Sequence, residues 1–202
     1  MKTIPALLAV ALAAALPQAA QAEDWFFRAG IHTVNPDSDN GSLARGALDV
    51  DIGSDTQPTF VLGRMLDEHW GLELLAALPF QHDVRLNGDK ALEFKHLPPT
   101  LSVQYYFAPG AKVRPFVGAG LNYTWTFEED ESGALDGTKV SIDNSFGFAG
   151  QLGLAVDLSP KWHLVFDARW IDIDADVSVN GDNVGSVQVD PWVYGAYIGY
   201  RF

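Results

Sequence analysis

Along most of this chain, apolar side chains occupy every second position. In the C-terminal segment one face holds Trp192, Tyr194, Ala196, Ile198, Tyr200 and Phe202, and the other holds Val193, Gly195, Tyr197, Gly199 and Arg201. Because successive side chains of a strand point to opposite faces, a period of two predicts β-strands. The second face has too many glycines and too few lysines and glutamates for a solvated surface. This argues against a soluble sandwich and favours a narrow barrel lumen.

The alternation recurs in eight segments. They cover roughly residues 24–34, 57–66, 70–81, 93–107, 113–128, 143–158, 161–176 and 187–202. Short turns at 67–69, 108–112 and 159–161 alternate with long polar connections at 35–56, 82–92, 129–142 and 176–186. Bacterial barrels have even strand numbers, short periplasmic turns and longer extracellular loops. We therefore expect an all-β chain that forms an eight-stranded antiparallel transmembrane β-barrel.

Aromatic residues gather at the two ends of these predicted strands. The periplasmic ends carry Trp25, Phe27, Trp70, Tyr105, Phe107, Trp162, Tyr200 and Phe202, and the outer ends carry Phe80, Trp125, Phe127, Phe146, Trp170 and Trp192. Amphipathic rings concentrate at both interfaces of a bilayer. The distribution predicts two aromatic girdles, which scattered core aromatics of a soluble protein would not form.

The N-terminus has the pattern of a secretory signal peptide. Lys2 precedes an apolar run at residues 6–16, and the small-residue triplet 20–22 ends at Ala22. Eleven apolar residues are too few for a membrane-spanning helix, which needs about 20. We expect cleavage after Ala22, so that residues 1–22 are removed and residues 23–202 form one barrel domain.

Charge and cysteine content narrow the function classes. Without residues 1–22 the chain has 12 basic and 26 acidic side chains, a net charge of −14, which makes nucleic acid an improbable partner. The chain has no cysteine, so an exported fold must be stabilised without disulfides.

Several segments together resemble the OmpW family of outer-membrane proteins. They are FFRAG at 26–30, GLELLAALPF at 71–80 with His82 behind it, HLPPTL at 96–101, RPFVGAGLNY at 114–123, DID at 172–174, DPWV at 190–193 and GYRF at 199–202. The resemblance implies a barrel in the outer membrane of a Gram-negative bacterium that admits small apolar molecules and releases them sideways through its wall. Ile198, Tyr200 and Phe202 are similar to the signal that the outer-membrane assembly machinery reads.

The lower half of the predicted lumen is polar. Its residues are Arg28, Glu73, Gln104, Tyr106, Gln151, Asp157, Asp167, Arg169 and Arg201. Eight strands leave an interior only just wide enough for side chains, and buried charges need partners of the opposite sign. We expect these residues to pair and close the lower barrel, in preference to lining a continuous water-filled pore.

The upper half of the predicted lumen is small or apolar. Its residues are Gly30, Val61, Leu75, Ala77, Pro98, Gly118, Gly120, Gly147, Ala149, Ile171 and Val193. Apolar pockets with few polar groups bind apolar ligands, so these positions predict a funnel for small hydrophobic molecules. Pro98, Pro99 and Pro191 donate no ladder hydrogen bond, and a locally unzipped wall beside them would provide a lateral exit.

Other readings of the sequence are weaker. The histidines His32, His69, His82, His96 and His163 stand in no catalytic motif. His96 and Ser102 would lie about 20 Å apart on one strand, so we expect no enzyme activity. The acidic residues near Asp172, Asp174 and Asp176 lack the ligand spacing of a calcium loop, and we expect no metal or cofactor.

The acidic outer connections leave a second function open. They form a solvated rim that divalent cations would bridge to the surrounding lipids and lipopolysaccharide. A structural or surface-binding protein that acts through these loops is therefore the alternative to a port. We expect a monomer, because a closed barrel leaves no edge strand to pair.

Overall fold

The computed structural model describes residues 25–202, nearly all of them in β-strands and the turns between them. The predicted signal peptide and its cleavage position at Ala22 lie outside these residues. No helix within residues 25–202 is long and apolar enough to cross a membrane. In chain order the strands are β1 (Trp25–Asn35), β2 (Ser42–Leu43), β3 (Leu48–Ile52), β4 (Asp55–Met65), β5 (Trp70–Ala77), β6 (Phe80–Leu86), β7 (Asp89–Leu97), β8 (Thr100–Tyr106), β9 (Val113–Glu131), β10 (Val140–Ile142), β11 (Ser145–Asp157), β12 (Trp162–Ile171), β13 (Asp174–Val179), β14 (Asp182–Gln188) and β15 (Trp192–Arg201).

Eight of these strands close into a ring. The order is β1, β4, β5, β8, β9, β11, β12 and β15, and β15 pairs back onto β1. Every pairing is antiparallel. The predicted eight-stranded barrel is thus confirmed, and we call this ring the lower barrel. Its short connections lie at residues 66–69, 107–112 and 158–161, within two residues of the predicted turns.

The four long connections contain strands of their own and form an upper tier. The long strand β9 continues above the lower barrel and pairs with β7, which is followed by β6, β3 and β2. A separate sheet of β10, β13 and β14 stands beside them. The backbone N–H of Ala44 donates to the Val184 carbonyl at 2.9 Å and joins the two sheets. The segments predicted as polar loops therefore build a second wall above the lower barrel.

The structure divides the predicted strands 70–81, 93–107 and 161–176, and the first division changes which residues face inward. Predicted residues 70–81 form β5 and β6, which are separated at Leu78 and Pro79. Odd positions such as Glu73 face the lumen on β5, whereas even positions such as His82 face inward on β6. Phe80 is consequently only 1% exposed, and its placement in the outer girdle is wrong. A shift of one residue at the break exchanges the two faces of a strand.

The outward faces of the lower barrel carry a belt of exposed apolar side chains. Its members include Phe27, Ile31, Phe60, Leu72, Leu101, Val117, Leu121, Phe148, Leu152, Leu154, Phe166 and Ile198. Above the belt the outward positions become charged, as at Lys95, whose ammonium pairs with Glu128 at 2.7 Å. An apolar band bounded by polar residues is the surface that a membrane-spanning barrel presents to lipid.

Candidate functional site: a lumen in two parts

The centre of the lower barrel is filled by ionised side chains. The Glu73 carboxylate on β5 accepts from the Arg28 guanidinium on β1 at 2.9 Å and from the Arg169 guanidinium on β12 at 2.5 Å. All three side chains are buried. Inward positions of three separate strands place them at the same height. Buried charge is tolerated when partners of opposite sign lie within hydrogen-bonding distance, as they do here.

Further polar groups extend this centre into a network across the lumen, which we call the plug. Asp167 accepts from Arg169 Nε at 2.9 Å and from Gln151 Nε2 at 2.7 Å. Gln104 donates to Gln151 Oε1 at 3.0 Å, and the Tyr106 hydroxyl donates to Gln104 Oε1 at 2.8 Å. The Tyr106 hydroxyl also accepts from Arg28 at 2.9 Å, so the hydrogen-bond network leads back to the Arg28–Glu73 ion pair.

Two of the nine predicted polar residues lie below the plug. Asp157 accepts from Arg201 at 2.6 Å and from Arg114 at 3.1 Å at the lower mouth, where all three side chains are partly exposed. The structure brings the other seven, Arg28, Glu73, Gln104, Tyr106, Gln151, Asp167 and Arg169, into one connected cluster.

The sequence interpretation missed two histidines of the plug. His163 Nε2 accepts from Arg28 Nε at 3.2 Å, and His32 Nε2 lies 3.3 Å from an Asp167 carboxylate oxygen. The Tyr197 hydroxyl also contacts His32 Nε2. His32 lies an even number of residues from Arg28 on β1, and His163 an even number from Asp167 on β12. The alternation of the strands therefore places both histidines on the lumen face and was enough to predict their inward orientation.

Above the lower barrel, the upper tier surrounds an apolar pocket with a cavity volume of about 90 Å³. Its walls are mainly aliphatic. They include Leu43, Leu48, Val50, Ile52, Val84, Leu86, Leu92, Phe94, Val140, Ile142, Ile173, Ala175, Val177, Val187 and Val189. Ten of these fifteen residues come from the connections that were predicted to be polar loops, and the other five come from predicted strands. Their alternation over 48–52, 84–86, 140–142 and 187–189 was the signal that could have revealed the pocket.

A smaller cavity of about 10 Å³ lies between the upper pocket and the plug, and we call it the middle cavity. Five residues from the predicted apolar funnel line it: Leu75, Ala77, Pro98, Ile171 and Val193. His32 of the plug also belongs to its lining, and His96 belongs to the linings of both cavities. The middle cavity therefore connects the level of the plug to the level of the upper pocket.

The remaining residues of the predicted funnel lie elsewhere. Val61 packs in the lower apolar cluster with Phe26 and Phe116, and Ala149 packs in the upper one. A Cβ added at Gly118 would lie 3.0 Å from the Gln151 side-chain oxygen, which places Gly118 beside the plug.

The funnel glycines Gly30, Gly120 and Gly147 allow two backbones to approach closely. A Cβ at Gly30, Gly120 or Gly147 would overlap the carbonyl oxygen of Ala196, Leu101 or Asp172, respectively. These three positions therefore serve strand packing and add no surface to the cavities.

The wall beside the middle cavity has a gap in its ladder. The pairing of β5 with β8 ends at Leu75 and Thr100, and the pairing of β6 with β7 resumes at Phe80 and His96. No ladder pair joins the two edges between these points in the described residues. The carbonyls of Pro98 and Pro99 instead accept from the Asn122 side chain on β9 at 3.2 and 3.3 Å. The neighbouring strands thus separate where Pro98 faces the middle cavity.

Comparison with known proteins gives consistent matches over nearly the whole chain. The sequence model of the OmpW family matches residues 21–202. Outer membrane protein W of Escherichia coli is 36% identical, with 99% of this chain and 98% of that protein covered. The crystal structure of the outer membrane protein OprG from Pseudomonas aeruginosa superposes with a TM-score of 0.79 at 35% identity, covering 90% of this chain and 96% of that one. A Pseudomonas aeruginosa protein named for a dibenzothiophene metabolism operon, PahQ, is 24% identical over 93% of each chain.

Proposed function

Because this chain belongs to the OmpW family and is an integral outer-membrane β-barrel, we propose that it is a passive port for small hydrophobic molecules. The observation that carries the proposal is the stacking of an apolar pocket above a hydrogen-bonded plug. Pockets of roughly 300–1,000 Å³ with apolar walls are typical of small-ligand sites. The upper pocket has the apolar walls of such a site at a smaller cavity volume, about 90 Å³.

The plug directs the proposed route sideways. Arg28, Glu73 and Arg169 occupy the lumen with buried, mutually paired charges, so a hydrophobic molecule that continued downward would have to separate them. The middle cavity and the wall gap beside Pro98 provide a second route, along which no ion pair has to separate. A molecule would enter the upper pocket, pass His96 into the middle cavity, and leave through the wall into lipid.

One comparison supports the apolar nature of the cargo. Dibenzothiophene is a fused aromatic heterocycle with no hydrogen-bond donor, and a relative of this chain carries its name. The expected partners of the port are small apolar ligands, lipids, lipopolysaccharide and the assembly machinery. A monomeric state and the absence of enzyme activity stay predictions.

The test is the initial uptake rate of octane into cells that lack the protein and into cells complemented with it. We expect complementation to raise the rate. Ala77→Trp fills the middle cavity and should abolish the increase. Ala76→Trp is the matched control, because Ala76 pairs with the exposed Phe60 on the outward face of the same strand and should leave uptake unchanged.

Two results would contradict the port. No increase for octane or other apolar probes, with folded barrel present in the membrane, would favour a structural or surface-binding role for the acidic outer rim. Equal uptake by the Ala77→Trp and wild-type proteins would exclude the middle cavity from the route.

A further inference from the structure

Two buried histidines face each other at the boundary of the upper pocket. His82 on β6 and His96 on β7 lie with their Nε2 atoms 3.3 Å apart, and both side chains are buried. Phe80 and Phe94 pack against these rings. Aromatic and aliphatic surroundings disfavour a charged imidazole, so each ring carries one proton.

The contacts of His82 determine which nitrogen of each ring carries that proton. His82 Nδ1 lies 2.5 Å from the carbonyl oxygen of Gly53, and a carbonyl oxygen can only accept. His82 Nδ1 is therefore the donor, and its Nε2 is an acceptor. His96 Nε2 must then donate to it, which leaves His96 Nδ1 as an unprotonated acceptor. No hydrogen bond to His96 Nδ1 is present among residues 25–202.

His96 also stands where the proposed cargo must pass, since it lines both the upper pocket and the middle cavity. The other polar residues of the upper pocket, Thr124, Thr126, Asp143 and Ser145, do not line the middle cavity. The Thr124 hydroxyl donates to Asn122 at 2.7 Å, Ser145 Oγ accepts from the Asp174 backbone at 3.1 Å, and Asp143 is exposed. His96 is therefore the one polar residue among those described that lines both cavities.

We propose that His96 Nδ1 accepts a hydrogen bond from the hydroxyl group of an otherwise hydrophobic cargo. The port would then favour aliphatic alcohols and phenols over ethers and alkanes of the same size. This inference rests on the proposed function and specifies the class of molecule that the same route selects. A donor on the cargo satisfies the imidazole nitrogen, whereas an ether oxygen offers it only a second acceptor.

The experiment compares two isomers, 1-octanol and 1-methoxyheptane, which have the same atoms but differ in the O–H group. Protein-dependent initial uptake is the rate in complemented cells minus the rate in cells lacking the protein, with octane as a third probe. We expect the wild-type protein to favour the alcohol over the ether by about 3- to 10-fold, the effect of one neutral hydrogen bond.

His96→Phe keeps an aromatic ring and removes the acceptor, so the ratio of alcohol uptake to ether uptake should fall to about one. His69→Phe is the matched control, because His69 lies in a periplasmic turn, where its ring stacks on Tyr105. The preference of this variant for the alcohol should equal that of the wild-type protein. In His82→Phe the proton on His96 is no longer fixed, so ether uptake should rise towards that of the alcohol.

The outcomes separate this inference from the proposed function. An equal preference for the alcohol in wild-type and His96→Phe proteins, with octane uptake intact, overturns the role of His96 and leaves the port standing. An unchanged preference in His82→Phe overturns the fixed proton position. Loss of protein-dependent uptake for all three probes in the wild type overturns the port itself.

Discussion

Glu73 and Arg169 stand on opposite sides of the barrel, four strands apart in the ring of eight, yet Glu73 Oε1 and Arg169 Nη2 are 2.5 Å apart. Their side chains are 0% and 1% exposed. Two long side chains therefore cover the whole width of the lumen. The Arg28 guanidinium contacts the second oxygen of the same carboxylate, so Glu73 is the shared anion of the plug.

Removing this anion should destabilise the barrel strongly. Glu73→Ala leaves Arg28 and Arg169 without their shared partner, and breaking a buried ion pair typically costs about 3–5 kcal/mol. We expect a lower urea midpoint for unfolding and a higher ion conductance in planar bilayers. Asp83→Asn is the control, since it removes an exposed pair with Lys90 that is worth about 0–1 kcal/mol. Equal midpoints for the two variants would refute the importance of the plug.

Substitution by alanine should destabilise the barrel at one glycine of the wall and leave it unchanged at another. In Gly30→Ala the new Cβ would overlap the Ala196 backbone, which cannot move without distorting the β1–β15 ladder. In Gly150→Ala the new Cβ meets nothing within 4 Å. We expect Gly30→Ala to reduce the folded fraction on a heat-modifiability gel and Gly150→Ala to match the wild type. A folded, equally stable Gly30→Ala protein would contradict the close packing of these strands.

The periplasmic turn at Asp67 should have a pH-dependent effect on stability. The backbone N–H groups of Trp70 and His69 donate to its carboxylate, each at 2.7 Å, and lower the pKa of Asp67 below its usual value. A lowered pKa in the folded state means that the stabilisation is present above the unfolded pKa of about 3.9 and disappears as the pH falls through the folded pKa. Asp67→Ala should lower the melting temperature at pH 7 and make little difference once the pH is below the folded pKa. A difference that is independent of pH would exclude the carboxylate as its source.

A side chain of β9 supplies a hydrogen bond to the backbone of β10. Glu131 accepts the backbone N–H of Val140 at 2.6 Å, where a neighbouring strand would normally supply the acceptor. We expect Glu131→Ala to accelerate hydrogen exchange at the Val140 amide, because the donor loses its partner. Glu131→Gln keeps an acceptor oxygen and should exchange much more slowly than Glu131→Ala. Amides of the lower barrel, such as that of Leu152, serve as the internal reference.

Strand alternation was enough to predict the lower barrel and the members of the plug. Arg28 and Glu73 stand at alternate positions with a glycine of the same strand, and Arg169 stands at alternate positions with Asp167. A closed eight-stranded ring has one interior in which all three can meet. Their pairing could not be read from parity alone, because it depends on the relative heights of strands that are not neighbours in the ring.

The sequence interpretation failed at the breaks in the strands. It assumed that even-numbered residues point outward on both sides of Leu78 and Pro79, and so placed Phe80 outside. In the structure, even-numbered residues point outward before this break and inward after it. It also treated residues 48–52 and 140–142 as polar connections because their outward positions are acidic or hydroxylic. Their inward residues, such as Val50 and Ile142, are apolar and form the upper pocket.

The plug also limits the order in which this barrel can be assembled. Its three central charges come from the first, third and seventh strands of the ring, so no hairpin contains a complete set of partners. A partly formed sheet in the bilayer would expose unpaired guanidinium or carboxylate groups to hydrocarbon, at a cost of several kcal/mol for each. Stepwise insertion of individual hairpins is therefore unfavourable, and the last strand must meet the first while the interior is still shielded from lipid.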